Sequence, residues 1–382
     1  MPVVYEAADI LEPPEAGEAM GLVRPFVASH DADDRRNYLP ALGLFGTAGN
    51  PDLVYDWRAD QIPVISEQLA LRGLAERVNI FNPLKREWKP EDAAEEARHL
   101  ARDAAVVLPV LDITTGHASL AETGFAALGG TLRPQRVHMF IESGSDHDDA
   151  VKRARTLTTL LATKTLKDFP VNAAMAPDMQ TMIDNGVRDV SDFADRVASR
   201  VSHDSRFTIP RRTDLSPTIA LVGSGASRYD GSWYEGMRDR LDDNGVARRE
   251  QYSAYTDDWT LDNAITELEH KTNDAVILFA ATETENSFGA LGELGWLLAY
   301  CAFNGQKLGV YVEKHDSDPK SDQNRQRKLA MAHLGRHLLD FPDLPVFIAS
   351  TPAELARYGA SELAKYKQLQ RASQIALQSQ SS

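Results

Sequence analysis

Asp103-Ala104-Ala105-Val106-Val107-Leu108 and Asp274-Ala275-Val276-Ile277-Leu278-Phe279 are two versions of one short sequence, an acidic residue followed by an unbroken apolar run. The offset between them, 171 from Asp103 to Asp274, also pairs Trp88 with Trp259, Glu96 with Glu267 and His99 with His270. It continues through Leu120 and Leu291, Glu122 and Glu293, Gly124 and Gly295, Gln135 and Gln306, and Glu142 and Glu313, with no gap from Trp88 to Glu142. Upstream, Ala41-Leu-Gly-Leu-Phe-Gly46-Thr47 matches Thr218-Ile-Ala-Leu-Val-Gly223-Ser224, and downstream the helical stretch from Asp178 to Val197 matches that from Pro352 to Tyr366. The chain is therefore read as a tandem repeat, with each half folding on one plan.

Continuous apolar runs at Ala104–Leu111, Val137–Ile141, Ala275–Ala280 and Leu308–Val312 alternate with helical periodicity. A strand that is apolar on both sides must be covered on both sides, which predicts an α/β fold with a doubly wound parallel sheet in each half. The halves are placed at 41–205 and 215–370, joined by a charged, Pro-punctuated linker from Ser202 to Pro217. Residues 1–40 read as an arm and 371–382 as a polar tail.

Composition narrows the function. Forty-one Lys and Arg against 56 Asp and Glu give a net charge of −15, which disfavours a nucleic-acid polymer as partner, because phosphate neutralisation needs clustered cations. The single Cys301 excludes a disulfide framework and a Cys-rich metal site. Met1 to Met20 lacks the basic start and apolar centre of a signal or transit peptide. Gly289 to Phe303 is too short for a membrane span and carries Glu293. These features predict a cytoplasmic protein with no membrane partner.

Ligands of open parallel sheets sit beyond the carboxyl ends of the strands. The turn Gly46-Thr47-Ala48-Gly49-Asn50 and its counterpart Gly223-Ser224-Gly225 offer free backbone N–H groups to a phosphate or sugar oxygen, or are simply tight turns. A second loop, Asp112 to Ser119, with Glu283 to Ala290 as its counterpart, delivers Glu122 or Glu293 into what reads as the first turn of a helix. A carboxylate there is kept ionised by the helix dipole and suits a nucleophile. Ser119-Leu-Ala-Glu122 is equally a capping box, although Ala290 removes that explanation from the second half. His99 and His270, four residues before Asp103 and Asp274, could join them in holding a metal, but helix-face pairing is the commoner use and no third ligand is apparent. Trp88 and Trp259 read as core or loop-anchoring aromatics, and Lys152, Arg153 and Arg155 as the solvated face of an amphipathic helix.

Phe81-Asn82-Pro83, Trp88-Lys-Pro-Glu91-Asp92, Glu95-Glu96 with His99, the strand from Ala104 to Leu111, and Gly116-His-Ala-Ser119-Leu-Ala-Glu122 together resemble the nucleoside 2-deoxyribosyltransferase-like proteins. The second half is similar through Trp259, Glu267, Asp274 and Gly289-Ala-Leu-Gly-Glu293-Leu-Gly295. The resemblance implies two flavodoxin-like domains and cleavage or transfer at the N-glycosidic bond of a nucleoside or nucleotide, with no cofactor. It implies that Glu122 attacks the anomeric carbon, with Glu293 the catalytic candidate of a second half that replaces Asp112 with Glu283 and Ser119 with Ala290 and would complete the pocket as a neighbouring subunit would. Asp112 and Asn82 would then contact base or sugar, with Ser119, Gly46, Thr47, Gly223, Ser224 and Gly225 holding sugar or phosphate oxygens. The halves would act as a pseudo-dimer, with further homo-oligomerisation open. A non-catalytic nucleotide sensor and a glycohydrolase acting on NAD or a signalling nucleotide stay open beside this reading.

Overall fold

The computed structural model describes residues 39–47, 56–84, 90–132, 135–169, 171–197, 209–223, 232–254, 260–282, 288–313, 322–341 and 343–380. In the first half, β1 (Leu39–Leu44), α1 (Trp57–Leu71), β2 (Asn79–Phe81), α2 (Pro90–Arg102) and β3 (Asp103–Val110) are followed by α3 (His117–Leu132), β4 (Arg136–Ile141), α4 (Asp149–Asp168), β5 (Ala173–Met175) and α5 (Met179–Val197). The second half repeats the series as β6 (Ser216–Gly223), α6 (Ser232–Asp243), β7 (Gln251–Ser253), α7 (Leu261–Asn273), β8 (Asp274–Ala281), α8 (Phe288–Asn304), β9 (Lys307–Val312), α9 (Asp322–Asp340), β10 (Val346–Ile348) and α10 (Pro352–Gln380).

Each half builds a five-stranded sheet, β2-β1-β3-β4-β5 in one and β7-β6-β8-β9-β10 in the other, with every pairing parallel. This is the 2-1-3-4-5 order of the doubly wound, flavodoxin-like α/β fold, present twice. All eight residues of β3 and of β8 are buried, which is why those segments carry no polar alternation.

The two halves meet through α3 and α8. These helices are apolar around most of their circumference, as expected for helices buried on every side, and α8 is the apolar stretch that is too short for a membrane span. Their backbones cross at Gly124 and Gly295: a Cβ on Gly124 would lie 2.2 Å from the Trp296 nitrogen, and one on Gly295 2.3 Å from the Phe125 nitrogen. Trp296 donates its indole N–H to Thr123 Oγ1 across this contact, at 2.9 Å. One apolar core runs through the junction from Val106 and Leu108 to Val276 and Leu278, and a smaller cluster of Ala93, Ala97, Leu329 and Ala332 joins α2 to α9.

One boundary differs from the sequence reading: β6 starts at Ser216, within the second half as placed at 215–370, but α10 continues through the expected polar tail to Gln380. The tail is rich in Ser and Gln but contains neither Gly nor Pro, so it prolongs a helix already nucleated by packing. No helix among the described residues is long and apolar enough to cross a membrane.

Candidate functional site

The turn after β1 is fastened onto the end of β3. Gly46 adopts φ 91, and a Cβ there would lie 2.2 Å from the Pro109 carbonyl oxygen, so the position requires glycine. Thr47 N–H donates to the Pro109 carbonyl at 2.8 Å, and Thr47 Oγ1 accepts from Leu111 N–H at 2.9 Å. Beneath the turn lies Arg58, 1% exposed, positioned by Asp56, which caps α1. Its Nε donates to Leu44 O at 2.7 Å, Nη2 to Gly46 O at 2.7 Å and Nη1 to Thr47 O at 3.1 Å. Burial lowers the pKa of this guanidinium, against the opposing charges of Asp56, Glu122 and Glu96. A cation is thus fixed near both glutamates.

Glu122 reaches this turn: Gly46 N–H donates to its Oε2 over a long 3.4 Å. Its helical setting corrects the sequence reading. α3 begins at His117, after Gly116 with φ 63, so Glu122 is its sixth residue and no acidic group stands in the first turn. Ser119 is a buried third residue and no N-cap, so the capping box does not form. The helix dipole therefore acts less strongly on Glu122 than a first-turn position would, and Arg58 and the Gly46 N–H both contribute positive field there. Glu96, on α2, is the second buried carboxylate whose charge Arg58 feels. Sequence reasoning passed over Glu96 as a site residue, although its repetition as Glu267 was the available signal.

The β3–α3 loop is held from above by Arg155 of α4. Its side chain is 2% exposed, which overturns its assignment to a solvated basic face. Nη1 pairs with Asp112 Oδ1 and donates to Glu142 O at 2.9 Å, while Nη2 donates to Leu111 O at 3.0 Å and Thr114 O at 3.2 Å. Asp112 Oδ1 also accepts from Gly144 N–H at 3.0 Å, and Asp112 N–H donates to Glu142 Oε2. Burial lowers the Arg155 guanidinium while Asp112 holds it up. Asp112 therefore serves to lock the loop. Beside it, burial and the charge of Arg155 push the His117 imidazole down to about 4, so that it is neutral at pH 7. The other half reaches in here: Gln326 of α9 donates to the His117 carbonyl at 2.7 Å. Asn82 stands past the end of β2, where its side-chain oxygen closes its own turn by accepting from Leu84 N–H at 3.0 Å.

The second half keeps the frame and changes the chemistry. Gly223 has φ 117 and abuts the Ala280 carbonyl as Gly46 abuts Pro109, but Tyr234 replaces Arg58 beneath it, donating its hydroxyl to Gly223 O at 3.1 Å. Arg327 of α9 takes the part of Arg155, donating to Thr282 O at 2.6 Å. Glu293 is likewise the sixth residue of its helix, yet Lys271 Nζ lies 2.6 Å from Glu293 Oε1 and 2.6 Å from Glu267 Oε1. Burial alone would lower the Lys271 ammonium, but the two carboxylates outweigh it and raise its pKa. Burial also raises Glu293, opposed by Lys271 and reinforced by Glu267. In the first half the residue corresponding to Lys271 is Leu100. Ser224, Gly225, Glu283, Asn286, Trp88 and Trp259 lie outside the described residues.

The repeated His-Asp pairs are structural. His99 Nδ1 lies 2.9 Å from Asp103 Oδ1 with its ring stacked on Phe81 at 3.6 Å, and His270 Nδ1 lies 3.0 Å from Asp274 Oδ2 with its ring stacked on Tyr252 at 3.6 Å. Among the described residues no cluster of three or more His, Cys, Asp or Glu side chains could hold a metal ion.

Fold and strand-end loops define a duplicated flavodoxin-like α/β protein whose two halves carry equivalent carboxylates in unequal settings. No protein-family model matches the chain, and no curated protein or solved structure matches it.

Proposed function

We propose that the first half cleaves or transfers at the N-glycosidic bond of a nucleoside or nucleotide, with Glu122 as nucleophile. The observation that carries this reading is the contrast between two equivalent glutamates. Glu293 is neutralised within the fold by Lys271 at 2.6 Å, whereas Glu122 meets the N–H of a strand-end glycine in a turn held by a buried guanidinium. A carboxylate beside backbone N–H groups at the carboxyl ends of parallel strands is placed where ligands of such sheets bind.

In the proposed reaction a Glu122 oxygen forms a bond to the anomeric carbon as the bond to the base nitrogen breaks, and the base departs with a proton. That proton is assigned to Glu96, the second buried carboxyl group near Arg58, which must enter the step protonated, as the acid member of a carboxyl pair does. Water or a second base then attacks the anomeric carbon, passing its proton back to Glu96, and releases Glu122 as carboxylate. Asp112 and Arg155 hold the loop, and the Gly46-Thr47 turn faces the sugar or phosphate oxygens. Glu293 takes no chemical part in this scheme and acts as the internal counter-ion of Lys271.

The test is turnover. The protein is incubated with deoxynucleosides, nucleoside monophosphates and NAD, and free base is measured. Release by the wild type and none by Glu122→Gln supports the reading; binding without release by the wild type supports a nucleotide sensor instead.

A further inference from the structure

The halves also differ far from Glu122, at the outer edge of the first sheet. In the second half, Phe347 of β10 pairs across the sheet with Gly309 of β9, and its ring stacks on Tyr358 of α10 at 4.6 Å. In the first half the corresponding cross-strand pair is Ala174 of β5 and His138 of β4. Gly186 against Val107 and Gly359 against Leu278 align α5 with α10, and Asn185 then stands where the second half has Tyr358. Both aromatic rings that cover this corner in one copy are therefore missing from the other.

His138 does not fill the space. Its side chain is nine-tenths buried and leans onto α5, where Nε2 lies 2.8 Å from Asp189 Oδ2, and its Nδ1 is buried without a hydrogen-bond partner. What remains over the exposed Ala174 is an open groove of about 680 Å³, lined by Phe193 and Val171 and edged by Arg136, Arg188, Asp189 and Asp192. Asp189 is engaged by His138 and by Arg188 Nε at 3.5 Å. Arg136 donates to the Asn172 side-chain oxygen at 2.6 Å and, among the described residues, makes no ion pair within 4 Å, although its charge also acts on Asp189.

We propose that this groove binds a small planar aromatic acid, its ring lying over Ala174 where the second half places Phe347, and its carboxylate on Arg136. Guanidinium suits a planar anion because it offers parallel N–H donors. Asp192 at the rim favours a ring that also carries a hydrogen-bond donor. The site is separate from the strand ends at Glu122 and does not depend on the reaction proposed there.

Saturation-transfer NMR and calorimetry on the full chain test it, with benzoate, 4-hydroxybenzoate and indole-3-carboxylate as probes and methyl 4-hydroxybenzoate as the neutral control. At least one acid should bind, and the ester should bind about tenfold more weakly than 4-hydroxybenzoate, as expected for loss of a charge-assisted hydrogen bond. Ala174→Phe, which installs the second half's own residue, should abolish binding. Arg136→Gln, at an exposed position that should leave folding intact, should weaken the acid about tenfold and erase its advantage over the ester. Glu122→Gln should bind as the wild type does. The proposal is overturned if none of the acids binds, if Ala174→Phe or Arg136→Gln binds like the wild type, or if Glu122→Gln loses binding.

Discussion

Gly124 and Gly295 pack backbone to backbone where α3 crosses α8, so closely that a methyl group on either would fall within 2.3 Å of the other helix's main chain. Each glycine is two residues beyond its half's glutamate, so the contact that joins the halves also sets the helices bearing Glu122 and Glu293. Gly124→Ala should force the helices apart and cost about 1–3 kcal/mol, the usual range for overpacking, despite the better helix propensity of alanine. Thermal unfolding checks this, with Gly236→Ala in α6, where an added Cβ meets only the end of the Arg240 side chain, as a control for helix propensity alone.

Lys271 separates the two glutamates energetically. Its replacement by Met would leave Glu267 and Glu293 buried without their ammonium, and removing one partner of a buried ion pair typically costs about 3–5 kcal/mol. Lys271→Met should therefore lower the denaturation midpoint strongly. Adding Glu293→Gln should restore part of the loss, because one buried charge is then removed. A double variant no more stable than Lys271→Met would show that the triad is not coupled as described.

His333, fully buried against Phe125 at a ring distance of 5.5 Å, gives a pH dependence with a definite sign. Burial pushes its pKa down from 6.5 to about 3, so the folded state holds it neutral while the unfolded chain takes up the proton first. Its contribution to stability is complete above pH 6.5 and is lost as pH falls toward 3. His333→Phe should remove that loss, and the variant's melting temperature should gain on the wild type as the pH is lowered. The wild-type curve alone would not isolate this, because burial raises Asp103 to about 6, and that group loses stability in the opposite direction, as pH rises. A gap between variant and wild type that stays constant with pH would contradict the assignment.

Arg155 gathers the carbonyls of Leu111, Thr114 and Glu142 with the Asp112 carboxylate on one guanidinium. Lysine keeps the charge but cannot hold that many acceptors in a fixed plane. Arg155→Lys should loosen the β3–α3 loop, seen as faster amide exchange of residues 112–116. Under the proposed function it should also raise the KM for base release more than it lowers kcat.

The repeat made much of this architecture legible. A gapless run from Trp88 to Glu142, with fully apolar strands at Ala104 and Ala275, permits few alternatives to a duplicated parallel sheet, and it placed Glu122 and Glu293 at equivalent helical positions. The buried cations were not legible. Lys152, Arg153 and Arg155 share one charged stretch, and only the packing of α4 over the β3–α3 loop selects Arg155 to turn inward. Lys271 hides in the same way among Glu267, Glu269 and His270, and its absence from the first half, where Leu100 stands, was the clue to asymmetry. The helix start was misplaced because Ser119-x-x-Glu122 fits a capping box locally, while Gly116, with its positive φ, opens the helix three residues earlier. The edge groove left no trace in hydrophobic pattern, since it arises from comparing Ala174 with Phe347 across two copies.

In the proposed reaction Glu122 is a covalent nucleophile and Glu293 is not. Base release from the preferred nucleoside should disappear in Glu122→Gln and persist in Glu293→Gln, provided both variants are folded. A 2-fluoroarabino analogue of that nucleoside, whose electron-poor sugar slows breakdown of the glycosyl ester, should leave a sugar adduct on the peptide containing Glu122. Peptide mass spectrometry of the treated wild-type protein is the most direct measurement: an adduct on Glu122 and none on Glu293 is the predicted result, whereas base release by Glu122→Gln at the wild-type rate, with no adduct on Glu122, would contradict the account.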